Sequence, residues 1–198
     1  MLGKMKKILM IIIAVFAFFF ATNVFAATYT IDKVHTTLGF AVKHLMVSMV
    51  RGEFTDYSGE INFDKENLKN FSSEVVIQAQ SINTRNDDRD KHLRGADFFD
   101  AAQFPTITFK GKKLLQSGKN YTIVGDLTMK AVTKTISIPV SIAGPIKSPM
   151  GDEVIGISGE ATINRQDFGV SWNKTMDQGG LMIDDHVKLV IEIEAHKK

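Results

Sequence analysis

From Thr28 to the C-terminus the chain alternates apolar and polar positions with a period of two, and the alternation breaks at turn-forming residues. Taking those breaks as boundaries predicts strands at 28–44, 51–64, 73–81, 104–115, 119–128, 133–146, 152–164 and 186–196. Gly118, Gly144-Pro145, residues 149–151 and Gly179-Gly180 supply the punctuation, and residues 65–70 read as one helical turn. One parity of each strand is apolar: Leu38, Phe40 and Val42; Ile61 and Phe63; Val75 and Ile77; Ile107 and Phe109; Ile123 and Leu127; Ile136, Ile138, Val140 and Ile142; Val187, Leu189, Ile191 and Ile193. The other parity carries Glu60, Asn62, Gln78, Thr106, Thr108, Asp126, Ser137, Lys188 and Glu192. A single layer of such strands hides its apolar face only by closing on itself or folding over. Long strands joined by short turns, with one long interrupted connection, favour closure. The predicted class is all-β, an eight-stranded antiparallel up-and-down barrel with a short helical connection between the third and fourth strands. A barrel of that size has room inside for packed side chains or one small ligand.

The interrupted connection spans residues 85–109. Residues 85–94 hold three arginines and one lysine against three aspartates, too charged for a core strand and suited to a solvated helix with weak local ion pairs. Pro105 ends any helix and biases Phe104 toward extended backbone, so a strand restarts after it. Phe98, Phe99 and Phe104 put three large apolar side chains into a segment expected to be polar. They read as a lid over the barrel mouth, with Arg89 or His92 as an anchor beside it.

The first residues belong to a different kind of segment. Lys4, Lys6 and Lys7 precede an uncharged run over 8–21, and Val24, Phe25 and Ala26 suit a cleavage site. Residues 1–26 are expected to be a secretory signal peptide, with an uncleaved anchor as the alternative, and residues 27–198 a single periplasmic or secreted domain. Removing the three lysines takes the net charge from +2 to −1, so no positive field argues for nucleic acid. There is no cysteine, which excludes a disulfide framework, a C-x-x-C redox site, a thiolate metal site and a lipidated cysteine.

Several short motifs, in order along nearly the whole mature chain, resemble the YceI-like family. They are I-D-x-x-H-T at 31–36, F-x-V-x-H at 40–44, G-x-F at 52–54, and Arg89-Asp90-x-His92-Leu93 followed by Phe98-Phe99-Asp100 and Phe104-Pro105. Gly125-x-Leu127-Thr128 with Val132-Thr133-Lys134, and Arg165-x-Asp167-Phe168-Gly169, complete the series. Thr36 stands where the family usually shows Ser, and Ala131 where it often shows Gly. The resemblance implies a lipocalin-like barrel that binds a polyisoprenoid or similar long amphiphile.

The inner parity offers no acid, base or nucleophile with a partner in reach, so no enzyme is expected. Ser158 in G-I-S-G lacks the strand-elbow-helix setting of a G-x-S-x-G nucleophile. His35, His44, His92 and His186 are scattered, and Asp184-Asp185-His186 is the one local cluster with ligand chemistry. No H-x-x-x-H or H-E-x-x-H spacing occurs, so a metal site would have to be assembled by the fold alone. No metal and no cofactor is expected. His44 shares the parity of Phe40 and Val42, and either meets a ligand head group or is satisfied by a backbone carbonyl.

The ligand-facing candidates are Leu38, Phe40, Val42, His44, Phe54, Ile61, Phe63, Val75, Ile77, Phe98, Phe99, Phe104, Ile107, Phe109, Leu127, Ile163, Phe168 and Trp172. Phe168 and Trp172 are expected to line a second mouth, with Met176, Leu181 and Met182 adding adaptable apolar surface. The expected partner is a polyisoprenoid, quinone-like or other long lipid, with transient membrane or membrane-protein contact and a homodimer as further expectations. Two other readings stay open: a lipid-modifying enzyme, and a rigid scaffold that meets a membrane redox protein through residues 169–185.

Overall fold

The computed structural model describes residues 26–175 and 180–198; the expected signal segment up to residue 25 and Met176 lie outside them. Eleven strands form one antiparallel sheet: β1 (Ala27–Ile31), β2 (Thr37–His44), β3 (Ser48–Phe54), β4 (Tyr57–Phe63), β5 (Ser72–Gln78), β6 (Ile82–Asn83), β7 (Thr106–Ser117), β8 (Asn120–Met129), β9 (Val132–Lys147), β10 (Glu153–Asn164) and β11 (Ile183–Lys197). The pairing of β1 with β11 closes the sheet into a barrel. β11 runs beside β1 at one end (Tyr29 opposite Lys197) and beside β2 over the rest (Leu189 opposite Phe40). β4 then pairs with β1 and β3 with β2, while β5 pairs with β4 and β6 with β3. Three staves of the barrel are thus made of two strands end to end, and the closed wall has eight staves.

Those broken staves depart from the expected continuous strands at 28–44, 51–64 and 73–81. The first breaks because the Asp32 carboxylate accepts the Val34 N–H (2.9 Å), an Asx turn that takes the backbone out of the ladder. The second breaks where the Thr55 N–H and hydroxyl both donate to the Ser81 carbonyl (3.2 and 3.1 Å). The third stops at Gln78 and passes through a 3₁₀ turn, Ala79–Ser81, into β6. Phe104 precedes β7 rather than starting it: its N–H caps the Asp100 carbonyl (2.8 Å), and the Pro105 carbonyl takes the Ala79 N–H (2.8 Å).

Parity is not conserved along every strand. A bulge between Gly111 and Lys113 switches β7, so that Ile107 and Leu114 both point inward while Leu115 is 53% exposed. The inward residues form two clusters. One, around Tyr29, Ile61, Phe63, Phe71, Leu114, Ile123 and Ile155, fills the end where β1 begins and β11 finishes. The other, around Phe98, Ile107, Leu127, Met129, Ile163 and Phe168, lies at the opposite end. At the first end the Tyr29 hydroxyl donates to Glu153 (2.6 Å), which holds the Glu153 carboxyl below its ordinary range; burial and that same partner push Tyr29 up.

Helix α1 (Asp87–Arg94), the connection at 95–105 and the described parts of the later connection, 165–175 and 180–182, sit over the second end. The Lys130 ammonium in the β8–β9 turn donates to the Gly169 carbonyl (3.1 Å), tying that turn to the later connection. Phe98 and Trp172 meet with centroids 5.3 Å apart. The expected second mouth around Phe168 and Trp172 is therefore the same mouth that α1 covers. β10 and β7 both face it with the ends next to these loops, and sequence parity, which reports the face of a strand, carries no information about its end.

Candidate ligand cavity

A cavity of about 520 Å³ runs through the barrel interior, within the range of small-molecule sites. Leu38, Phe40 and Val42 of β2, Val75 and Ile77 of β5, Ile107 and Phe109 of β7, Ile123 and Leu127 of β8, and Ile136, Ile138 and Val140 of β9 form its walls. Ile157 and Ile163 of β10 and Val187, Leu189, Ile191 and Ile193 of β11 complete them. The period-two pattern of these strands gives this lining directly, because alternate side chains leave the sheet on the same side.

Two aromatic rings lie along the wall instead of across the lumen. Phe40 is opposite Gly52 in the ladder, and a β-carbon on Gly52 would stand 2.5 Å from the ring. Phe109 covers Gly125 in the same way, at 2.7 Å. A glycine at each place leaves the space into which the neighbouring ring folds.

The polar side chains on the lining are few. Ser73 lies beside Gly111, while His44, Asp88, Arg89, His92 and Arg165 stand at the mouth, on the β2 end, on α1 and after β10. α1 starts where the Asn86 side chain accepts the Arg89 N–H (2.9 Å), with aspartates in its first turn and basic residues in its last, each favourable to the helix dipole. Its charges do not simply pair with one another in solvent as expected. Asp90 is buried and takes the Thr84 N–H (2.9 Å) and hydroxyl (2.5 Å). Arg89 donates to the Thr84 hydroxyl and carbonyl (2.7 and 2.9 Å). Arg94 donates to the carbonyls of Gln80 and Ile82 (both 2.8 Å), which satisfies backbone acceptors around β6.

This anchoring sets an aromatic cover over the lumen. The His92 ring stands edge-on to Phe98 (4.9 Å) and Trp172 (5.1 Å), with its Nε2 turned out to Asp97 (2.9 Å). Phe99 meets Phe54 at 5.8 Å, and Phe54 meets Phe40 at 6.1 Å. The second connection is organised by Arg165, 5% exposed, whose guanidinium donates to the carbonyls of Val170 (2.6 Å), Trp172 (2.9 Å) and Asp184 (3.0 Å) and pairs with Asp185 (3.0 Å). Burial lowers the Arg165 pKa and Asp185 opposes that shift.

All the ligand-facing candidates line the cavity except Phe63, Phe104 and Phe168. Phe63 points inward but ends β4 opposite Ala27 and is packed into the core at the far end. Phe104 is held in the connection by its N–H bond to Asp100. Phe168 lies in the 3₁₀ turn Arg165–Phe168, fully buried beneath the loop, and fills core rather than wall. Met182 lines the mouth, and Leu181 forms an isolated bridge with Thr175. Sequence reasoning passed over Ile157, whose inward parity was readable within 152–164, Phe71, Val50 and Ile183, which lie outside the strand bounds drawn from the pattern, and Arg165, whose place in R-x-D-F-G was noticed without its role.

Comparisons place this geometry among known proteins. The YceI-like domain family matches residues 29–195. A UPF0312 protein of Staphylococcus aureus (strain bovine RF122 / ET3-1) is 37% identical over 167 residues, 84% of this chain and 95% of that protein. The crystal structure of a Campylobacter jejuni YCEI protein is similar with a TM-score of 0.68 and 37% identity, covering 79% of this chain and 90% of that one. A polyisoprenoid binding domain from Saccharophagus degradans, implicated in plant cell wall breakdown, shares the fold with a TM-score of 0.66 at 15% identity, covering 87% and 99%. With its closed antiparallel barrel, its helical cover and this match over nearly all of the described domain, the chain belongs to the YceI-like domain family.

Proposed function

We propose that this protein binds a polyisoprenoid or similarly long amphiphile, with the tail in the lumen and the head near His44, Asp88, Arg89 and His92. The observation that carries this reading is an apolar cavity of about 520 Å³ whose charged side chains gather at one end. Removing apolar surface from water is worth about 25 cal/mol per Å², so burying a chain of a few hundred Å² outweighs the cost of ordering it. Among the described lining residues no nucleophile stands within hydrogen-bond reach of a base, which favours carriage or storage over turnover. Denaturing extraction of the purified protein followed by mass spectrometry is expected to release a single class of long-chain amphiphile in near-stoichiometric amount. Protein that is consistently empty and gains no thermal stability from added polyprenol or fatty amphiphile would sink the carrier reading.

Residues 1–26 act, in this proposal, as a cleaved export signal that delivers the domain to the periplasm or the medium. Exchange with a bilayer would then use the β2–β3 hairpin beside the mouth. Leu45, Met46, Val47 and Met49 at its tip are 37%, 49%, 84% and 41% exposed, and Lys43 and Arg51 flank them on the outer face. Leu45 and Met46, with φ of 51° and 61°, are the central pair of a turn closed by the Val47 N–H on the His44 carbonyl (3.1 Å) within a three-residue loop, a conformation that favours Asn-Gly. Large apolar residues there cost the turn stability and supply a wedge suited to anionic lipid. The double change Leu45→Asn with Met46→Gly is expected to leave the fold and cavity contents intact while cutting co-sedimentation with phosphatidylethanolamine–phosphatidylglycerol vesicles about tenfold. Unchanged vesicle binding would remove the hairpin from the exchange step.

A further inference from the structure

On the outer wall, away from the cavity, the break between β1 and β2 meets the last turns of β11. Asp32 and His35 come from the break; Glu194 and His196 point outward from β11, on the parity opposite the buried Ala195. His35 Nδ1 lies 2.5 Å from Asp32 Oδ2 and 3.5 Å from Glu194 Oε1. His196 Nε2 lies 3.1 Å from Glu194 Oε1 and 3.8 Å from Asp32 Oδ2. The donor atoms of Asp32, Glu194 and His196 all fall within 4.8 Å of one another. Ligands about 2.0–2.1 Å from a tetrahedral zinc ion are about 3.3 Å apart, and these spacings bracket that edge.

The donors are also held in place. Asp32 Oδ1 is taken by the Val34 N–H, which leaves Oδ2 for the cluster. The Asp32 N–H donates to the Glu194 carbonyl (2.9 Å), and the Glu194 N–H donates to the Thr36 hydroxyl (3.1 Å), so the break and β11 are locked in register. His196 sits opposite Thr30 and Val154 in the ladder. Its Nδ1 is bonded to Asp152, whose other oxygen takes the Ser148 hydroxyl. A carboxylate on one imidazole nitrogen, aiming the other at a shared centre, is the arrangement that orients histidine ligands of metals.

We propose that Asp32, Glu194 and His196 hold a zinc-class divalent cation, with His35 beside Asp32 completing a cluster of four and Asp152 orienting His196. Three carboxylates converge on two imidazoles here, and a divalent ion would neutralise the excess negative charge. Imidazole with carboxylate suits zinc and its neighbours in the first transition row. The ion would fasten β11 to both halves of the first stave, at the pairing that closes the barrel. This inference stands apart from lipid binding, since none of the four residues lines the cavity.

The test uses untagged protein stripped with chelator and titrated with Co²⁺, followed by Zn²⁺ competition, with circular dichroism of every variant. One Co²⁺ per chain is expected, with the intense visible absorption of a tetrahedral N/O site, displaced by one equivalent of Zn²⁺. His196→Gln and Asp32→Asn, both folded by circular dichroism, are expected to weaken binding at least 100-fold, and Asp152→Asn about 10- to 100-fold. His186→Gln, whose ring bonds Asp184 and is not part of the cluster, is expected to bind as the unaltered protein does. Zn²⁺ should raise the melting temperature of the unaltered protein and not that of His196→Gln. Absence of saturable Co²⁺ binding, a spectrum of the hexaaqua ion only, or equal affinity in His196→Gln would each overturn the site.

Discussion

Phe109→Asp is expected to destroy both stable folding and ligand retention, with a loss of at least about 4 kcal/mol in urea unfolding followed by circular dichroism. Phe109 stands between Val75 and Leu127 on the inner face of the sheet, with its ring folded over Gly125. Deleting a core phenylalanine typically costs about 3–5 kcal/mol in transfer and cavity energy. The aspartate adds a carboxylate to a wall whose neighbours are aliphatic, where an unpaired ion costs several kcal/mol or takes up a proton. Together these approach the whole stability of an ordinary domain. Phe109→Leu, which keeps the volume near and the polarity unchanged, is expected to stay folded and loaded. A Phe109→Asp protein with an unchanged urea midpoint and a full complement of extractable amphiphile would show that this residue does not face the lumen.

The second large effect is expected at Arg165. Its guanidinium satisfies three carbonyls and one carboxylate, and Arg165→Met leaves all four without that donor. Asp185 is 25% exposed and keeps the Gln166 amide as a donor, so most of the expected loss comes from the abandoned carbonyls, at about 1–3 kcal/mol for each one left buried without a partner. Lysine does not repair the loss, because a single ammonium cannot reproduce the planar fork that reaches Val170, Trp172 and Asp184 together. Trp172 is the chain's one tryptophan, so the local consequence has its own signal. Its emission should shift to the red in Arg165→Met as the ring leaves Phe98 and His92. Unchanged emission and stability would show that the second connection is held by its aromatic contacts alone.

The walls of the cavity were readable in the sequence because period-two alternation survives in the long strands: Phe40, Val42, Ile107 and Phe109 were assigned inward by parity and line the lumen. Parity failed where hydrogen bonding altered the count. The bulge near Lys112 and the Asx turn at Asp32 depend on backbone pairings that a single strand does not announce. It failed again over which end of the barrel each loop reaches, so Trp172 was expected at one mouth and Phe98 at another, although their rings touch. Phe168 looked like a ligand contact because aromatic character does not separate a wall from the packing beneath a loop. The cluster of Asp32 and Glu194 was out of reach for a simpler reason. Its two halves, 32–35 and 194–196, lie at opposite ends of the described domain, and although Glu194-x-His196 reads as a same-face pair, it is the pairing of β1 with β11 that brings Asp32 beside it.

The glycines beneath Phe40 and Phe109 have a consequence for selectivity. A barrel wall is commonly thought to choose its guest by the groups that project from it, but here the free length and width of the lumen depend on two positions with no side chain. A methyl at Gly52 would meet the Phe40 ring at 2.5 Å, so that ring would have to swing toward the axis, whereas one at Gly125 would meet the Lys110 carbonyl at 2.5 Å as well as the Phe109 ring at 2.7 Å, so the β7–β8 ladder would have to give too. The interior would become shorter and narrower with its polarity untouched. Single methyl groups at these two places would reshape the lumen through ring and ladder, and at Gly52 would also press on Thr84, which holds Arg89 and Asp90 of the cover.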